Sequence, residues 1–154
     1  MDWSWYNNGI DWRWYIDNNK LNEIDLNTKD KNGITLSEYA VTNDSLDLLK
    51  YANENGANLS IVIDSDYPLI RTAIENKNLP ILKYLVEKGF SLNFDYGGLK
   101  LIHIAALDSN VEIFDYLVKQ GEDMNDRNSD MNTPLHFASI RNLDVVKYLV
   151  DNGA

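Results

Sequence analysis

The chain has 154 residues, about one domain's worth, and a hydrophobic content of 44%, ordinary for a folded chain. Lys and Arg total 14 against 24 Asp and Glu, a net charge of −10, so a phosphate backbone is repelled and nucleic acid is disfavoured as a partner. With no cysteine there is no disulfide framework or thiolate chemistry, and no stretch approaches the roughly 18 uninterrupted apolar residues that a membrane span needs.

The opening Met1-Asp2-Trp3-Ser4-Trp5 lacks the basic and apolar regions of a secretory signal, and a cytoplasmic location is expected. All four tryptophans fall within the first 14 residues. The segment from Asp11 to Leu21 reads as a helix capped by Asp11, with Trp12, Tyr15, Ile16 and Asn19 on one face. Residues 1–24 are therefore expected to form a Trp-rich capping segment. Its tryptophans either seal one end of the fold or offer an aromatic patch to a partner. Asparagine is frequent, in pairs such as Asn18-Asn19, and the sequence attaches no mechanism to it.

Four blocks then align: Gly33 to Gly56, Asp66 to Gly89, Gly98 to Gly121 and Met131 to Gly153. Their closing glycines are spaced by 33, 32 and 32 residues. Each glycine comes after an apolar run of helical period, the last being Val145-Val146-Lys147-Tyr148-Leu149-Val150. A glycine just past such a run is where a left-handed helix cap belongs. Ser45, Asn78, Asn110 and Asn142 hold equivalent positions at the helix starts, where each can accept an orphan N–H. Pro80 falls in the first turn of its helix, where no N–H partner is lost.

A shorter helix precedes each of these. Its fullest form is Thr133-Pro134-Leu135-His136-Phe137-Ala138, in which Thr133 caps, Pro134 pre-sets the first helical φ and Ala138 permits close helix approach. The equivalents begin at Thr35, Pro68 and Lys100; proline and lysine there forfeit the capping hydroxyl. Burial is expected to peak at Ala73, Leu85, Ala105, Leu117 and Ala138.

A period of about 33 with Thr-Pro-Leu-His-x-Ala resembles the ankyrin-repeat family. The resemblance covers roughly Glu23 to Ala154, and segments such as Asp25 to Gly33 look like that family's inter-repeat β-hairpins. It implies an all-α repeat solenoid of stacked helix-turn-helix units linked by β-hairpin loops, behind a divergent N-terminal capping helix. Residues 25–154 would hold four repeats, approximately 33–60, 66–93, 98–125 and 131–154. The final helix, Leu143 to Val150, is as apolar as the corresponding internal ones, so a continuation or a partner covering it is expected.

Catalytic chemistry is not expected. Both histidines, His103 and His136, hold the same repeat position, where the resemblance implies a hydrogen bond to backbone. None is left over for a zinc site, a triad or a general base. The segment Asp126-Arg127-Asn128-Ser129-Asp130 lacks the mid-loop glycine and closing glutamate of a calcium loop. No cofactor or metal is expected.

What remains is binding to another protein, neutral or basic in keeping with the acidic chain. By resemblance the binding surface is the concave face of hairpin tips and first helices. That face maps onto Ile34, Asn43, Asp64, Tyr67, Glu75, Asn76, Tyr96, Leu99, Leu107, Asp108, Asn132 and Arg141. Tyr67, Tyr96, Leu99 and Leu107 stand out, because the repeat framework does not demand apolar residues there. A narrower alternative is an inhibitor or immunity-type protein that occludes a basic enzyme or toxin.

Overall fold

Short-range capping chemistry sets the helix boundaries. The computed structural model describes residues 9–59 and 69–154, and the chain divides between residues 68 and 69 into two compact units. The helices α3 (Leu46–Glu54), α5 (Leu79–Glu87), α7 (Val111–Lys119) and α9 (Leu143–Asp151) each run nine residues. Their expected caps are in place: Ser45 Oγ accepts from Leu48 N at 3.3 Å, Asn78 Oδ1 from Ile81 N at 3.0 Å, Asn110 Oδ1 from Ile113 N at 3.0 Å and Asn142 Oδ1 from Val145 N at 3.4 Å. Each of these helices also ends on the predicted glycine in the left-handed region, with φ of +91° at Gly56, +90° at Gly89, +101° at Gly121 and +88° at Gly153. The next residue then donates back five positions, as Ala57 N does to Ala52 O at 2.9 Å and Phe90 N to Leu85 O at 3.1 Å, which satisfies carbonyls the helix leaves open.

In the first unit, α1 (Trp12–Asp17) starts on Asp11, whose carboxylate accepts from Trp14 N. The helix is shorter than its sequence pattern implied. Asn19 does not extend its face but sits at φ +53°, and Lys20 N closes onto Tyr15 O at 2.8 Å. Asparagine tolerates the left-handed region, so it ends the helix where the periodicity alone would carry on. Trp12 is wholly buried among Leu26, Leu36, Ala52 and Ala57, and its indole N–H donates to Ile34 O at 2.9 Å. A 3-10 turn (Leu21–Glu23) leads on towards α2 (Leu36–Thr42), which packs on α3. Thr35 and Glu38 form a reciprocal capping box at the start of α2.

In the second unit, α4 (Leu69–Glu75) pairs with α5, α6 (Leu101–Asp108) with α7, and α8 (Pro134–Arg141) with α9. A two-stranded hairpin, β1 (Asp95–Tyr96) and β2 (Leu99–Lys100), precedes α6. It is antiparallel, with Asp95 opposite Lys100 and Tyr96 opposite Leu99. Gly97 and Gly98 turn it with φ of +58° and +90°, a two-residue connection that needs positive φ at both places. Ala73, Leu85, Ala105, Leu117 and Ala138, the expected burial peaks, are all fully buried.

Candidate functional site

The alanines fix the geometry of the first helices. In the second unit, α4 packs against α6 and α6 against α8, with Ala73, Ala105 and Ala138 buried on these helices. Two and three residues beyond each alanine come Glu75 and Asn76, Leu107 and Asp108, and Ile140 and Arg141. These pairs form one row across neighbouring helix ends. The Arg71 guanidinium lies 2.8 Å from Glu75 Oε1, and the Arg141 guanidinium pairs with the Asp108 carboxylate. Leu107 is half-buried and Ile140 is 69% exposed, so the row carries apolar surface between charges that already satisfy one another.

On the hairpin side Gly98 lies close to the side chain of Ser129. A Cβ built on Gly98 would lie 2.5 Å from Ser129 Oγ and 3.2 Å from Ser129 Cβ, so a side chain there would displace Ser129 as well as strain a φ of +90°. The sequence marks Gly97-Gly98 only as a turn, because the role of Gly98 in seating the next loop depends on a residue 31 positions away. Leu99 is half-buried. Asn132 is clamped in its loop, donating to Asn128 Oδ1 at 2.8 Å and accepting from Asn128 N at 3.0 Å.

Between these elements lies a polar cluster. His103 is fully buried. Its Nδ1 accepts from Lys100 N at 3.2 Å and its Nε2 donates to Asp126 O at 3.1 Å. Both ring nitrogens are thus engaged with backbone, which leaves neither free to carry a proton to a substrate. Lys100 cannot cap as threonine does, but its ammonium reaches Asp126 Oδ1 at 2.7 Å, and that contact raises the lysine pKa. Burial raises the Glu122 carboxyl above the ordinary glutamate value, with Lys100 pulling it down and Asp126 pushing it up. Among the described residues, no group of three or more His, Cys, Asp or Glu is placed to hold a metal ion. No helix there is long and apolar enough to cross a membrane.

The remaining expected site residues are spread over both units. Ile34 is half-buried against the core of the first unit, its N–H donating to Asp30 Oδ1 at 3.0 Å. Asn43 is exposed, and its amide donates to Tyr39 O at 2.8 Å. Tyr96 contributes backbone to the hairpin. Asp64 and Tyr67 lie outside the described residues, as do Trp3, Trp5 and the side chain of Tyr96. Trp14, by contrast, is 49% exposed; Tyr15 stands edge-on to it at 5.1 Å, and the Lys20 ammonium lies 5.8 Å from its ring. The two described tryptophans therefore divide, one into the core and one at the surface.

A family model described as ankyrin repeats in three copies matches residues 37–128 and 73–154. Comparison with curated proteins found no match. Ankyrin repeats generally mediate protein–protein interaction and are typically non-catalytic. With stacked helix pairs, glycine-ended second helices and a family match spanning most of its length, the chain belongs to the ankyrin-repeat family.

Proposed function

We propose that the protein is a non-catalytic binding module whose second unit grips a protein partner along the row Glu75, Asn76, Leu107, Asp108 and Arg141, with Leu99 and Asn132 on the hairpin side. The observation that supports this most is Leu107 with Ile140. They are apolar, occupy equivalent places on neighbouring helices and remain accessible where the buried alanines already serve the core. An apolar anchor ringed by satisfied polar groups is the usual composition of an energetic hot spot. Residues 25–154 are taken as four repeats behind a capping segment. Ile34, Asn43, Asp64, Tyr67 and Tyr96 hold corresponding repeat positions and are proposed as contacts in their own right. A cytoplasmic site of action belongs to the same reading, since a chain without cysteine has no disulfide to maintain.

The test begins with affinity capture from the native host, which identifies the partner, and continues with titration calorimetry on variants. I140D and Y96A are expected to weaken binding by about 1–3 kcal/mol each without a change in Tm. Normal binding by both, with loss of binding in W14A, would transfer the site to the aromatic N-terminus.

A second reading, the inhibitor or immunity-type protein, is supported by the uneven charge. Residues 1–68 carry 12 acidic and 5 basic side chains, net −7; residues 69–154 carry 12 and 9, net −3. A basic enzyme or toxin would be steered by the earlier part, and its association would slow steeply with added salt. D47N combined with E54Q, both at exposed positions, would then slow association while leaving dissociation unchanged. A salt-insensitive complex rules this reading out.

A further inference from the structure

We infer that Lys77 is a specificity-determining contact beside the row, and that it takes a carboxylate from a partner segment that is both acidic and apolar. The inference rests on the row proposed above and adds to it the chemistry of what the row grips.

Lys77 follows directly on Asn76, in the turn between α4 and α5, and its φ is +59°. Lys77 N donates to Ile74 O at 3.0 Å and Asn78 N to Ala73 O at 2.9 Å. The helix therefore ends on a left-handed residue, a place that favours glycine or asparagine. The α2–α3 turn has the same pair of bonds, Asp44 N to Val41 O at 3.1 Å and Ser45 N to Ala40 O at 2.8 Å, with φ of +56° at Asp44. Aspartate tolerates that conformation, whereas lysine has no short polar side chain to offset its cost. The α6–α7 and α8–α9 turns avoid it, with φ of −91° at Ser109 and −124° at Asn142. A residue held in a costly backbone conformation at a binding surface points to a use for its side chain.

The surroundings define that use. Lys77 is exposed and forms no ion pair among the described residues. The other charges of the row are matched, Glu75 by Arg71 and Asp108 by Arg141, so Lys77 is left as an uncompensated cation. A lone ammonium suits a single negative charge. A phosphate dianion calls for a cluster of guanidinium groups, and Glu75 and Asp108 would oppose it. Leu107 and Ile140 supply the apolar side of the row, so the complementary segment holds Asp or Glu close to an apolar side chain. The contact is local and sets no condition on the net charge of the whole partner.

Selection from a displayed library of random peptides, roughly a dozen residues long, tests this on the full chain. The wild-type chain should enrich peptides with Asp or Glu beside an apolar residue, K77N should enrich the apolar residue alone, and K77E should enrich Lys or Arg in place of the acid. For a peptide selected by the wild type, K77N should weaken binding about fivefold while K77R keeps it. K77N should also raise Tm by about 2–4 °C, because asparagine accepts the left-handed backbone. Affinity lost together with stability gained is what a purely structural lysine would not produce. No preference for an acid, unaltered binding by K77N, or a Tm that K77N fails to raise would each overturn the inference. If I140D then still abolishes the apolar preference, the row stands without Lys77; if I140D also changes nothing, the row itself fails. A wild-type chain that enriches no peptide overturns the segment and leaves the row to calorimetry on the captured protein.

Discussion

The pairs α6–α7 and α8–α9 are built on one pattern and differ in what surrounds them. In α6, Leu101, Ile102, His103, Ile104, Ala105 and Ala106 are all buried; in α8 only Pro134 and Ala138 are. The paired histidines show the difference most sharply. His103 is fully buried and bonded to Asp126 O, whereas His136 is exposed. Yet α8 has the better local start, with Pro134 in its first turn and both the Thr133 N–H and its hydroxyl on His136 Nδ1 at 3.1 and 2.9 Å. Local capping chemistry and burial are therefore independent here. Capping comes from the repeat itself and burial from its neighbours, as nearest-neighbour stacking requires.

The largest effect should come from breaking the more enclosed pair at its closest contact. In A105D an uncompensated carboxylate enters the packed α4–α6–α8 layer at a cost of several kcal/mol, and most of the helical circular dichroism of the second unit should be lost. An unchanged spectrum and Tm would refute the assignment of Ala105 to that layer.

A smaller effect separates the histidines. H103A strands the N–H of Lys100 and the carbonyl of Asp126 in a buried site, at about 1–3 kcal/mol. H136A removes an exposed ring and should cost less than about 1 kcal/mol. Equal losses of Tm in the two variants would mean that burial does not govern the difference.

Much of the fold was legible because its signals are local. Ser45, Asn78, Asn110 and Asn142 cap the helices they precede, and the four closing glycines adopt the backbone conformation their spacing implied. The frequent asparagines have a structural use that composition did not disclose. Besides capping helix starts, the amides of Asn18, Asn43, Asn55 and Asn152 donate to the carbonyls of Trp14, Tyr39, Tyr51 and Tyr148 at 2.8, 2.8, 2.8 and 2.7 Å. One residue type thus serves both ends of helices, which is why Asn19 could be mistaken for a continuing helical position. What stayed hidden depends on distant partners: Lys100 on Asp126, Gly98 on Ser129, and Asn142, whose amide donates to Ser109 O at 2.8 Å and Ala106 O at 3.1 Å. The row proposed for binding was legible only as repeat positions, because surface residues do not answer to packing within the chain.

The smallest effect is electrostatic and confined to the internal pair. Because burial raises the Glu122 carboxyl, the folded state holds that proton more tightly than the unfolded chain does. Its contribution to stability is complete below the unfolded pKa and is lost as the pH rises through the folded one. E122Q should therefore raise Tm by about 1–3 °C at pH 7 and bring no gain at pH 4. A gain that grows on acidification would reverse the sign of this account.

The claim that neighbours, more than each repeat's own sequence, stabilise a helix pair is tested most directly by native-state hydrogen exchange on a dilute, monomeric sample. Amides from Ile113 to Val118 in α7 should exchange slowly, through the global opening of the unit. Those from Val145 to Val150 in α9 should exchange markedly faster, through local opening, despite an equivalent cap and an equally apolar sequence. Equal protection of the two segments would contradict the account.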